Sequence, residues 1–195
     1  MMKRISLLEI AHDIVGSYIE PADIALDATL GNGHDTVFLA RSVGTDGHVF
    51  GFDIQPQALI KSFQRLLQHD LQRRVTLRLA SHADMLSHIP KQWYGRVRAV
   101  MFNLGYLPGA DKAVITQIDS TLAALDSACV LLAPRAVITV LAYPGHAGGD
   151  LETEQLAAWC RQLDRTCFTS EVVLSSHDKP SAPRLFVIRK QADLL

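Results

Sequence analysis

The chain has 195 residues, 48% hydrophobic and 20% charged, and a formal net charge of −1. That length predicts one domain burying roughly 70% of the surface its unfolded chain exposes, and the hydrophobic content excludes intrinsic disorder. The balanced charge argues against a generally basic, nucleic-acid-binding surface, so any RNA contact must be a local patch. Candidate patches are Arg73 and Arg74, the group Lys91, Arg96 and Arg98, and Lys112, each of which also reads as ordinary solvated charge.

The longest apolar runs, such as 136–143, fall far below the ~20 residues of a membrane-spanning helix. The start Met1-Met2-Lys3-Arg4 leads into an amphipathic stretch rather than a signal segment, and the protein reads as cytoplasmic with no membrane contact. Three cysteines, Cys129, Cys160 and Cys167, form no CxxC pair; the pattern predicts reduced thiols and no metal site.

Taken in chain order, residues 5–19 place apolar side chains at helical spacing and predict an opening helix packed on the core. A short apolar run at 24–26 ends in Asp27 and is followed by a Gly-rich turn and a helix from about Asp35 or Thr36 to Gly44. Residues 48–54 read as a second strand, with Pro56 suited to the first turn of the next helix. Further strands are predicted at 75–80, 97–103, 136–143, 167–174 and 184–190, and helices at 116–132 and 152–163, the first of these closed by Ala133-Pro134. Strands alternating with helices imply an α/β fold: one Rossmann-like domain, a seven-stranded and mostly parallel sheet, helices on both faces. The last two strands lack an intervening helix, which predicts an antiparallel hairpin at the sheet edge.

In such a sheet, ligands bind beyond the carboxyl ends of the strands, and the turn Gly31-Asn32-Gly33 lies there. Glycines admit a ligand close to the backbone, and the helix that follows offers unpaired N–H groups. Asp53 ends the second strand, where its carboxylate can accept hydrogen bonds from both ribose hydroxyls of an adenosine; the plainer reading is an N-cap for the helix at Pro56. Asp27 separates two cofactor classes. Its carboxylate would repel a pyrophosphate but attract the ammonium of S-adenosylmethionine, and Thr36 replaces the third glycine of GxGxxG. Ser81-His82-Ala83-Asp84, after the third strand, is placed beside the adenine, or else simply caps a short helix.

The fourth strand runs into Asn103-Leu104-Gly105-Tyr106, which resembles the Asn-Pro-Pro-Tyr loop of amino-group methyltransferases with Leu-Gly in place of Pro-Pro. In that loop an Asn side chain and a backbone carbonyl hold the target nitrogen. An alkyl amine must also lose a proton before attack, and Tyr106, His146 and Asp111 are candidates to receive it. His146 sits in a second turn-rich loop, 143–149, expected on the same cleft.

These motifs together identify a resemblance. Asp27-Ala28-Thr29, Gly31-Asn32-Gly33-His34-Asp35-Thr36, Gly51-Phe52-Asp53-Ile54-Gln55, the segment 102–109 with Asp111-Lys112, and Tyr143 with Gly145-His146 resemble small proteins carrying the rRNA-methylase label. That family includes tRNA wobble-uridine methyltransferases. The resemblance covers nearly the whole chain and implies S-adenosylmethionine as cofactor, held at Asn32, Asp53, Gln55, Ser81 and His82, with Asp27, Gly31, Gly33 and Asp35 in the same motifs. It further implies methylation of the aminomethyl group of 5-aminomethyl-2-thiouridine at the tRNA wobble position. A homodimer would extend the surface available to tRNA, though no residue demands one. Competing readings are a methyltransferase for rRNA or a small molecule, a nicotinamide-dependent oxidoreductase, and a noncatalytic adenosine-binding module.

Overall fold

A computed structural model describes residues 5–105, 117–145, 148–175, 179 and 181–192. Its elements in chain order are α1 (Leu7–Gly16), β1 (Ile24–Asp27), α2 (His34–Ser42), β2 (His48–Asp53), α3 (Pro56–Gln68), β3 (Val75–Leu79) and α4 (Met85–His88). There follow β4 (Val97–Asn103), α5 (Ile118–Leu131), β5 (Leu132–Ala142), α6 (Gly149–Gln162), β6 (Phe168–Leu174) and β7 (Arg184–Lys190). The sheet order is β3-β2-β1-β4-β5-β7-β6. Strands β1 to β5 pair in parallel, whereas β7 runs antiparallel to both β5 and β6. The predicted hairpin therefore exists, with its second strand slotted inside its first and β6 left at the edge.

Period-two alternation sorts the strands' side chains onto two cores. Leu26, Val100, Phe102, Ile138, Val140, Phe186 and Ile188 face one way and meet Leu125, Ala128 and Leu131 of α5 and Leu156 of α6. Ala25, Ala99, Met101, Val137, Leu141, Leu185 and Val187 face the other and meet Val15 of α1, Leu39 and Ala40 of α2, and Leu66 of α3. Burial on both faces is why these strands are continuously apolar rather than alternating with polar residues. At the start of α1, Ser6 and Glu9 form a capping box: the Ser6 hydroxyl accepts from the Glu9 amide at 3.1 Å, and Glu9 accepts from the Ser6 amide at 2.7 Å.

Several boundaries differ from expectation, most of all at β5. Strand β5 begins at Leu132, before the Ala133-Pro134 pair that was expected to end the helix and precede the strand. Its register slips between Leu132, opposite Val97, and Val137, opposite Ala99, so Pro134 sits in an irregularity where no ladder donor is required. Arg98 reaches across to bond the freed Pro134 carbonyl at 2.9 Å. Among the helices, α2 starts one residue early, at His34, and ends at Ser42 rather than Gly44, and α6 starts three residues early, at Gly149. All three cysteines are unpaired, and burial pushes the Cys129 and Cys160 thiols up to about 12 and about 11, leaving them protonated. No helix among the described residues is long and apolar enough to cross a membrane, and none of their His, Cys, Asp and Glu side chains cluster in a metal-binding group.

Candidate active site

The strand order reverses between β1 and β4, and a cavity of about 620 Å³ opens there at the carboxyl ends of β1, β2 and β4. The loop after β1 forms its floor. Gly31 and Gly33 both take positive φ, +51° and +77°, which glycine adopts without penalty. A Cβ on Gly33 would lie 2.8 Å from Ser62 Cα on α3, so this glycine is the contact that lets α3 press against the loop. Leu30 points the other way, over Gly51 of β2, where a Cβ would come within 2.3 Å of Leu30 Cδ2. Gly33→Ala is accordingly expected to lower stability by roughly 2–5 kcal/mol, from the left-handed backbone plus the overlap. Chemical denaturation checks it, and a midpoint within error of wild type would show that α3 can move aside.

Asp53 does not cap α3. The N-cap position belongs to Gln55, whose side chain makes no capping bond. The Asp53 carboxylate instead accepts from the Gly31 amide at 3.1 Å and from the Gln55 amide at 2.9 Å. It thereby joins the glycine loop to the end of β2, half-buried on the cavity wall with lone pairs left for two further donors.

Asp27 takes a different place from the one expected of a direct ammonium partner: it is fully buried beneath the loop and does not line the cavity. Its Oδ2 accepts from the Thr36 hydroxyl at 2.5 Å and its Oδ1 from the Thr29 amide at 3.1 Å. Thr36 thus stands where a dinucleotide site has glycine because its hydroxyl is needed under the loop. Gly33 likewise lies behind the wall rather than on it. The acid that reaches the cavity from this loop is Asp35 in the first turn of α2, nearly buried and held by His12 Nε2 of α1 at 2.7 Å. The helix N-terminus favours its charge, and the His12 ring stacks on Phe38 at 4.0 Å.

Burial, and then the Asp35 charge, raises the Asp27 carboxyl to about 7. A carboxyl raised in the folded state above its unfolded value of about 3.9 makes the fold bind more protons than the unfolded chain across that interval. Its stabilisation is therefore complete below about pH 4 and is lost as pH rises through about 7. Asp27→Asn keeps an oxygen for the Thr29 amide and removes the titration. The melting temperature of this variant relative to wild type should rise between pH 5 and pH 8; a constant difference would mean that Asp27 titrates normally.

Beyond β3, Ser81 accepts from the Ala83 amide at 3.2 Å and so does cap the short turn 82–84, while still lining the cavity. His82 is mostly buried, with its ring edge-on to Phe102. Burial holds its imidazole below the usual range, so the ring is neutral, and Nδ1 donates to the Ala28 carbonyl at 3.2 Å. Nε2 is then a bare acceptor, buried, with no partner among the described residues. An orphaned acceptor on a cavity wall fits a ligand that brings a donor, such as an adenine amino group.

Asn103 ends β4 on the same wall. Its amide donates to Thr29 Oγ1 at 2.7 Å, which ties the end of β4 to the start of the glycine loop. Tyr143, after β5, also lines the cavity, its phenol held protonated by burial and by the nearby Asp35 charge. Asn32, Gln55, Ser81, His82, Asp35, Asp53 and Asn103 are therefore brought to one cleft. Tyr106, Asp111 and His146 lie outside the described residues. Sequence reading missed His12 and Leu8, which α1 contributes to the site. Their four-residue spacing puts them on one helix face, but the apolar periodicity of 5–19 points only to core packing and leaves a lone histidine without a signal. Of the basic groups considered for RNA, Arg73, Arg74, Arg96 and Arg98 precede or begin β3 and β4, at the amino edge of the sheet and opposite the cavity. Arg74 bonds the Ala40 carbonyl and Arg98 pairs with Asp23 at 3.4 Å.

A three-layer sheet with β7 antiparallel, a glycine loop after β1, an acid ending β2 and a polar wall at β4 together define a nucleoside-cofactor methyltransferase cleft. The family model described as "Putative rRNA methylase" matches residues 49–189. A chloroplastic tRNA (mnm(5)s(2)U34)-methyltransferase of Arabidopsis thaliana is 36% identical, over 94% of this chain and 69% of its own length. The crystal structure titled as a putative rRNA methylase from Clostridium thermocellum superposes with a TM-score of 0.91 at 36% identity, covering 97% of this chain and 100% of that one. One from Streptococcus mutans, titled as a putative methyltransferase in complex with SAH, gives 0.84 at 34% identity, covering 97% and 99%. The chain belongs to this rRNA-methylase family, and it is an S-adenosylmethionine-dependent methyltransferase.

Proposed function

We propose that the protein methylates the aminomethyl nitrogen of 5-aminomethyl-2-thiouridine at the wobble position of tRNA. The observation that carries this reading is Asn103: a side-chain amide at the end of β4, on the cavity wall, in an Asn-Leu-Gly-Tyr sequence suited to an amine rather than to a carbon or hydroxyl acceptor. The name of the Arabidopsis relative supports the same acceptor class.

In this reading Asp53 accepts the ribose hydroxyls of S-adenosylmethionine, His82 Nε2 accepts from its adenine amino group, and Asn32, Gln55 and Ser81 complete the nucleoside cradle. Asp35, fixed by His12, faces the cationic end of the cofactor. Bound there, S-adenosylmethionine supplies an electrophilic methyl group. Asn103 accepts a hydrogen bond from the acceptor amine and fixes its lone pair, a gain of orientation rather than of proton chemistry. The amine must be neutral when it attacks, and His146 is the group proposed to take the proton from its ammonium form.

The experiment is transfer of labelled methyl from S-adenosylmethionine to tRNA carrying aminomethyl at the wobble uridine, with unmodified tRNA and rRNA as controls. Label in that nucleoside alone is the expected result. Label confined to rRNA would keep the methyltransferase and discard the tRNA acceptor.

A further inference from the structure

Beside the cofactor cavity, on the far side of Asn32, α3 carries a second and smaller notch of about 160 Å³, lined by Asn32, Lys61, Gln64, Arg65 and Gln68. Its wall contains two cations and three carboxamides and no acid. The Arg65 Nε donates to the Asn32 carbonyl at 2.7 Å, which pins the guanidinium at the notch. Neither Lys61 nor Arg65 has an acidic partner among the described residues. The charge here is also segregated in the chain: residues 54–79 hold Lys61, Arg65, Arg73, Arg74 and Arg78 against the single acid Asp70, although the whole chain is net −1. Arg73 and Arg74 sit at the amino edge of the sheet and Arg78 near the carboxyl end of β3, while Lys61 and Arg65 share the notch with Asn32, which also lines the cavity.

The sulfonium and ammonium of S-adenosylmethionine gain nothing from additional cations, and its carboxylate shares a carbon with the ammonium read to face Asp35 inside the cavity, which neither Lys61 nor Arg65 lines, so the notch suits a separate, anionic ligand. Fixed Arg and mobile Lys donors backed by carboxamide N–H groups suit a phosphodiester. Ser181 lines the cavity between exposed Lys179 and half-buried Arg184, the first residue of β7. A strand presenting one base to the cavity would have cations on both flanks.

We propose that the α3 notch binds a backbone phosphate of the RNA substrate next to the nucleotide being modified. This rests on the reading of the substrate as tRNA. Phosphate contacts position a nucleic acid without reading its sequence, and each one released by mutation should remove about one unit from the slope of log affinity against log salt.

The test measures binding of wobble-aminomethyl tRNA to the full chain across a potassium chloride series, for wild type, Lys61→Ala, Lys61→Glu and Arg73→Ala. Lys61→Ala is expected to weaken tRNA binding about three- to tenfold and to lower the salt slope by about one, with Lys61→Glu weaker still. Affinity for S-adenosylmethionine by calorimetry should stay at the wild-type value in both, and KM for tRNA should rise with kcat unchanged. Arg73→Ala, at the opposite end of the sheet, should leave all of these alone. Wild-type affinity and slope in Lys61→Glu would overturn the notch while leaving tRNA methylation standing, and so would an equal loss in Arg73→Ala. A wild-type protein that binds no tRNA would overturn both.

Discussion

Asn103→Ala is expected to reduce kcat by about 10²-fold or more while leaving affinity for S-adenosylmethionine within about twofold. The residue lines the cavity and, in the proposed complex, its side chain meets the acceptor amine, whereas the backbone amide that ties β4 to Thr29 is untouched by the substitution. The loop between β1 and α2 should therefore keep its shape, and the loss should fall on orientation of the acceptor amine. Single-turnover methyl transfer with saturating tRNA, beside calorimetric titration of the cofactor, separates the two quantities. Full turnover in the variant would remove Asn103 from the mechanism. Weakened cofactor binding instead would make it part of the nucleoside cradle.

The second large effect is expected at Asp53. Its carboxylate holds the Gly31 and Gln55 amides and, in the proposed complex, both ribose hydroxyls. Hydrogen bonds to a charged acceptor contribute roughly 1.5–3 kcal/mol each, so Asp53→Ala should weaken cofactor binding on the order of 10²-fold or more. The fold should survive, because the Gly31 and Gln55 amides are half-buried and water can replace the lost acceptor. Asp53→Asn retains one oxygen and should fall between wild type and Ala. The three titrations, with melting curves to confirm folding, give the answer; equal affinity in all three would assign the ribose contact elsewhere.

Much of this architecture was legible in the sequence for a definite reason. Strands buried on both faces write themselves as continuous apolar runs, and each parallel connection needs a helix, so 24–27, 48–53 and 97–103 could be placed within a residue or two. The same rule places the glycine loop, Asp53 and Asn103 at one end of the sheet from the sequence alone. Of β5 only the first residues, 132–135, escaped, because Pro134 reads locally as a stop, and the pairing with β4, with Arg98 bonding the free carbonyl, shows that the chain is already in the sheet.

Local sequence also determined which residue types stand at strand ends, and thereby the cofactor class. What only the tertiary structure decided is which of those residues face the ligand. Asp27 and Asp35 look interchangeable in the motif, yet β1 carries the first under the loop, where burial raises its carboxyl to about 7, and α2 carries the second onto the cavity wall beside His12. Basic residues are equally ambiguous along the chain. Arg73 and Arg74 form the more conspicuous pair, but parallel strands start at one edge of the sheet and end at the other, which puts that pair at the amino edge and Lys61 and Arg65 beside the cleft. Burial and sidedness depend on what packs above and below a residue, and that is set by contacts between segments far apart in the chain.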